Sequence, residues 1–113
     1  PPVIKVGNLS AKRDFTDVRD VVEAYALLVM NGRRGETYNV GTGKAVSIQE
    51  ILDRIVSMSE CEIKVEVDPA KLRPVDVPII EPDITKIVGE VGWHPEIDLN
   101  ETLKETLTYW RSK

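Results

Sequence analysis

The sequence predicts an α/β fold, and three observations carry that prediction. Apolar residues recur at three- and four-residue intervals in several stretches, which is the spacing of one face of a helix. Between these stretches lie short runs rich in valine, isoleucine and tyrosine, bounded by glycine, proline and asparagine. Helix-capping residues stand at the joins. With 113 residues, 42% of them hydrophobic and 30% charged, one domain spanning 1–113 is expected, since a chain of this size builds a single core.

Taken in order, "VIKV" at 3–6 reads as a strand ended by the turn pair Gly7-Asn8. Asp17 is placed to cap a helix whose inward face is Val18, Val21, Val22, Tyr25, Leu28 and Val29, and "NGRRG" ends it. "ETYNVG" at 36–41 predicts a strand covered on both faces. Ser47 with Glu50 three residues later is a capping box opening a second helix, with Ile48, Ile51, Leu52, Ile55 and Val56 facing inward. "CEIKVEV" alternates, with Ile63, Val65 and Val67 on one side, and predicts a half-exposed strand. The prolines of "DPAKLRPVDVPIIEPD" exclude a continuous helix and predict an ordered extended loop, a kind of segment that is often functional. Asp83 caps a short helix carrying Ile84, Ile87, Val88 and Val91, "GWHP" breaks it, and Asn100 caps a last helix with Leu99, Leu103, Leu107 and Trp110 as its buried stripe. Several apolar faces are left over in this arrangement.

The formal charge of −4 and a pI near 5.0 give no general basic field, which argues against a nucleic-acid binder that neutralises many phosphates. An anion site must therefore be local. Cys61 is the only cysteine, so an internal disulfide is excluded, and a reducing compartment, the cytoplasm, is expected. No apolar run approaches the roughly 20 residues of a membrane span, and "PPVIKV" lacks a signal pattern. The chain does not begin with methionine and is expected to be a piece of a longer protein.

Three features imitate chemistry. "VGTGKAVS" lacks the earlier glycine and the hydroxyl after lysine that a phosphate-cradling P-loop needs, since those positions hold Tyr38 and Ala45. It reads as a glycine turn. Tyr109 and Lys113 have the spacing of a catalytic phenol and ammonium, but the lysine is the last residue and Tyr109 adjoins Trp110 on a packing helix. His94 lies in a turn without an acidic partner at recognisable spacing. No metal cluster and no Gly-x-Gly-x-x-Gly fingerprint is visible, and no catalytic residue is assigned.

Arg13 and Arg73 are the candidates for binding. Arginine's planar, permanently charged fork matches phosphate oxygens, and Pro74 biases Arg73 to an extended backbone. Asp76 follows Arg73 by roughly 10 Å of extended chain, a reach that suits sugar hydroxyls beside a phosphate. On residue type alone, solvated surface ion pairs of Arg13 with Asp14 or Asp17, and of Arg73 with Asp76, account for the same residues.

"GNLSAKRDFTDVRDVVEAY", "GETYNVGTGKAVSIQEIL", "DPAKLRPVDVP" and "VGWHPEIDLNETLKETLTYWR" resemble, in order and spacing, the C-terminal half of extended short-chain dehydrogenase/reductases acting on nucleotide sugars. Among these, "GNLSAKRDF" and "DPAKLRPVDV" look most like GDP-mannose 4,6-dehydratases and their relatives, the GDP-4-keto-6-deoxymannose reductases. The dehydratases tend to carry Trp and His where this chain has Phe15 and Asp17, which leans towards the reductases, and they usually have Glu at Asp76. The resemblance implies a C-terminal part of a Rossmann-type enzyme: the last sheet strand ("ETYNVG"), a small substrate-binding subdomain and helices, without the N-terminal Rossmann core. It implies that Arg13 and Arg73 clamp the pyrophosphate of a GDP-sugar, that Asp76 accepts from the ribose, and that Asn8 passes near the base. NADP or NAD would be held by the other half of the parent and not by this chain, which alone would be inactive. The unpaired edge of "ETYNVG" implies a homo-oligomer formed by strand exchange. A UDP-sugar epimerase or decarboxylase of the same superfamily, or a noncatalytic nucleotide-binding domain, shares these features.

Overall fold

A computed structural model describes residues 2–74 and 77–113. Its strands are β1 (Val3–Val6), β2 (Lys12–Arg13), β3 (Val46–Ser47) and β4 (Lys64–Val67), and its helices are α1 (Val18–Asn31), α2 (Ile48–Ser57), α3 (Thr85–Val91) and α4 (Leu99–Arg111). β1 pairs with β4 in parallel, Val3 opposite Lys64 and Val6 opposite Val67. β2 pairs antiparallel with β3, Arg13 opposite Val46. The α/β class predicted from the sequence holds.

The caps explain where the helices begin. Asp17 accepts from the Arg19 backbone N–H at the start of α1, and the Ser47 hydroxyl accepts from the Glu50 N–H at the start of α2. Only that half of the capping box is made; the Glu50 carboxylate instead accepts from Arg54 at 3.4 Å, one helical turn on. α3 starts later than the sequence predicts, with Ile84 and not Asp83 at its N-cap position and no side-chain cap there; the Asp83 carboxylate, one residue before, takes the Thr85 N–H and hydroxyl at 2.9 and 2.6 Å, and these bonds hold its pKa below the ordinary aspartate value. Gly92, at φ 79°, closes α3 in the left-handed conformation that favours glycine. The last helix starts earlier than the sequence predicts, because Asp98 and not Asn100 is its cap; the Asn100 side chain accepts from Arg54 at 3.1 Å and ties α4 to α2.

Three further expectations are corrected. The run at 36–41 forms no ladder. Tyr38 and Val40 pack against the core of Ala24, Ile87 and Trp93, and Lys86 of α3 clamps the run by bonding the Thr37 carbonyl at 2.8 Å and the Glu36 carboxylate at 2.9 Å. A strand's backbone needs a partner strand, and none lies beside it among the described residues. Within α1, the buried residues are Asp20 and Ala24, with Leu27 and Leu28 packed on the core, while Val18, Val22, Tyr25 and Val29 are exposed, Val29 by 88%. The helix turns its polar Asp20 inward because that carboxylate finds partners there, described below. On α4, Leu99, Leu103 and Leu107 are half-buried but Trp110 is 66% exposed.

These uncovered faces are reflected in the dimensions. The radius of gyration is 17.1 Å, against about 13 Å expected for a self-contained domain of this length. Only Ala11, Ala24, Ile87 and Trp93 are buried hydrophobic residues among those described.

Candidate functional site

The site is organised around β2. Lys12 pairs with Ser47 on one side and bridges in parallel to Ile79 on the other, with its N–H donating to the Pro78 carbonyl at 2.7 Å and its carbonyl accepting from the Ile80 N–H at 3.0 Å. The proline-rich loop after β4 is thereby drawn back against the residue that precedes Arg13. Upstream, the Leu9 and Ala11 carbonyls accept from the Gln49 and Ile48 N–H groups, each at 3.0 Å, so the segment leading into β2 is sewn to the start of α2. This backbone lattice makes a cleft of about 520 Å³ lined by Gly7, Asn8, Ala11, Arg13, Lys71, Arg73, Pro74, Val77 and Ile80.

Three of the four residues singled out in the sequence meet in that cleft: Asn8, Arg13 and Arg73. Asp76, the fourth, lies outside the described residues. Asn8 turns its side-chain oxygen back to accept from the Ser10 N–H and hydroxyl, at 2.9 and 2.7 Å, an Asx turn. Arg13 is half-buried, and one of its N–H groups donates to the Lys12 carbonyl at 2.7 Å, which steadies the fork. Among the described residues neither Arg13 nor Arg73 forms an ion pair, so the surface pairing of Arg13 with Asp14 or Asp17 does not occur.

Those two aspartates have other tasks, and with Asp20 they form a set that sequence reasoning missed. The Asp14 carboxylate accepts from the Thr42 and Gly43 N–H groups at 2.8 Å each and from the Thr42 hydroxyl at 2.6 Å. Asp17 takes the Arg19 fork at 2.9 and 2.8 Å and the Thr102 hydroxyl of α4 at 2.7 Å. The Arg19 bonds foremost, aided by Thr102 and opposed by burial, hold its pKa well below the usual carboxylate range. Asp20 accepts from the Glu96 and Ile97 N–H groups at 3.2 and 3.0 Å, while its backbone carbonyl takes the Trp93 indole N–H at 3.0 Å. Each aspartate fastens a different later segment to the entry of α1. The readable signal was the three-residue rhythm of "DFTDVRD".

Asp14 also settles the glycine turn at 41–44 on physical grounds. The N–H groups a phosphate would need from it are already donated to an internal carboxylate, so the turn holds an anion of the protein's own. The resemblance puts the dinucleotide cofactor in the other half of the parent, and in this turn the Thr42 and Gly43 N–H groups are not available to its phosphates. The other two imitations are also structural: Lys113 sits 4.7 Å from the exposed Tyr109 ring centre, and His94, 64% exposed, lies 3.6 Å from Glu96, a partner the sequence reading overlooked.

Comparison with known proteins gives this geometry a family. Residues 1–106 match the model of the GDP-mannose 4,6 dehydratase family. The chain belongs to that family. Among its relatives is GDP-6-deoxy-D-mannose reductase of Pseudomonas aeruginosa, 31% identical over 110 residues, an alignment that covers 97% of this chain and 36% of the reductase. The structure of RMD from Pseudomonas aeruginosa complexed with NADPH superposes with a TM-score of 0.91 at 29% identity, again over 97% of this chain and 36% of that one. A probable UDP-arabinose 4-epimerase of Oryza sativa is 36% identical over 104 residues, which cover 89% of this chain and 24% of the epimerase. The chain thus spans about a third or less of the curated relatives it matches. Members of the family and its neighbours are Rossmann-type enzymes of nucleotide-sugar metabolism. Among the described residues no helix is long and apolar enough to cross a membrane.

Proposed function

We propose that this chain is the nucleotide-sugar-binding portion of an NAD(P)-dependent enzyme of the GDP-mannose dehydratase and reductase kind, with a GDP-sugar as its substrate. The observation that carries the reading is the convergence of Asn8 and Arg13 with Arg73, which lies far from them in the chain, on one cleft. A diphosphate bears adjacent charged oxygens that two guanidinium forks match. Asp76, three residues after Arg73 in the sequence, serves as acceptor for the ribose hydroxyls, and the segment of Asn8 passes near the base. Catalytic groups and the NADP or NAD site belong to the portion of the enzyme that this chain's relatives have and this chain does not span; alone, the chain binds and does not turn over.

The UDP-arabinose 4-epimerase relative supports a second reading, a UDP-sugar epimerase or decarboxylase. One titration series separates the two. GDP-mannose should bind and should be displaced by GDP more readily than by UDP, and mixing it with the chain and NADP should yield no 4-keto product. Preferential displacement by UDP favours the epimerase reading. Binding of neither nucleotide contradicts both, and measurable turnover contradicts the assignment of the chemistry elsewhere.

A further inference from the structure

Lys71 lines the same cleft, and its place there is fixed by backbone packing. It closes the 3-10 turn Pro69–Lys71, whose start is pinned by Asp68: the Asp68 N–H donates to the Val6 carbonyl at 2.8 Å and its carboxylate caps the Ala70 N–H at 3.0 Å. The end of the turn presses on the chain just after β1. A Cβ added at Gly7 would stand 2.3 Å from the Lys71 carbonyl oxygen, so only glycine permits this approach. The Lys71 ammonium donates to the Lys5 carbonyl at 3.3 Å. An ammonium has three donors, which leaves two for a ligand.

Among the described residues Lys71 has no carboxylate partner, and the described lining holds three cations, Arg13, Lys71 and Arg73, and no anion. Like charges gathered without a counter-charge repel one another, and an anionic ligand relieves that repulsion. We propose that Lys71 is a third diphosphate-binding residue, completing with Arg13 and Arg73 a cationic rim whose shape depends on Gly7. The proposal rests on the nucleotide-sugar reading of the cleft.

The test is isothermal titration of the chain, as Lys71→Gln, as Lys71→Arg and unaltered, with GDP at low and at high salt. Lys71→Gln should weaken GDP about three- to tenfold at low salt, the gap should shrink at high salt as the charge is screened, and Lys71→Arg should bind as the unaltered chain does. Equal binding by Lys71→Gln and the unaltered chain at low salt overturns the proposal while leaving the nucleotide-sugar reading standing. A loss that persists undiminished at high salt overturns it too, because it marks a change of shape instead of charge. An unaltered chain that does not bind GDP overturns this proposal together with the GDP-sugar reading.

Discussion

In the proposed reading Arg13 and Arg73 carry the binding chemistry, because each presents a rigid fork whose charge is permanent. Charge-assisted hydrogen bonds are each worth about 1.5–3 kcal/mol, so Arg13→Gln and Arg73→Gln should each weaken GDP-mannose about tenfold to a hundredfold, read by calorimetry, with little change in the thermal unfolding midpoint. Substituting Lys at either position should recover only part of the loss, since an ammonium cannot make two parallel bonds. The candidate pair was legible in the sequence because arginine's chemistry is independent of context and because "DPAKLRPVDV" and "GNLSAKRDF" carry the family resemblance. Lys71 was not legible. Its position depends on how closely a turn approaches Gly7, and a close approach of two backbones leaves no residue pattern beyond the glycine itself.

At the scale of elements, the entry to α1 is the fastening point of the molecule. Asp17 caps α1, pairs with Arg19 and reaches Thr102 of α4, so its charge state couples two helices. Its folded pKa is lowered relative to the unfolded chain, so its stabilisation is full above the ordinary carboxylate value near 4 and is lost as pH falls below that value towards the folded one. Asp17→Asn, which keeps a capping oxygen, should cost about 1–3 kcal/mol in urea unfolding at neutral pH, and the difference from the unaltered chain should narrow steadily as the pH is lowered through the acid range. A cost that does not vary with pH would show that shape and not charge is responsible. Element boundaries were largely readable, since Asp17, Ser47 and Gly92 act through local backbone geometry. The face that α1 buries was not, because valines surround much of the helix and the choice was made by Asp20 finding two backbone donors at 96–97, a contact far away in sequence.

At the scale of the whole molecule, the uncovered row of Val18, Val22, Tyr25 and Val29 and the unladdered run at 36–41 explain why the chain is more extended than its length requires. Exposed apolar rows drive association, so the purified chain should sediment as a dimer or larger species at about tens of micromolar, and Val22→Lys with Val29→Lys should shift it to the monomer. A monomer before substitution would refute this. The described cleft lining comes from the segment 7–13 and from the turn and proline-rich loop at 71–80, and none of it from α1. The claim on which the functional reading depends is that one diphosphate is held jointly by Arg13 and Arg73, and it can be observed atom by atom. In nitrogen-15 spectra of the side-chain Nε–Hε groups, titrated GDP should move the Arg13 and Arg73 signals together, with a common midpoint, and leave Arg34 in place. Movement of only one of the two, or of neither while GDP binds, would contradict the account.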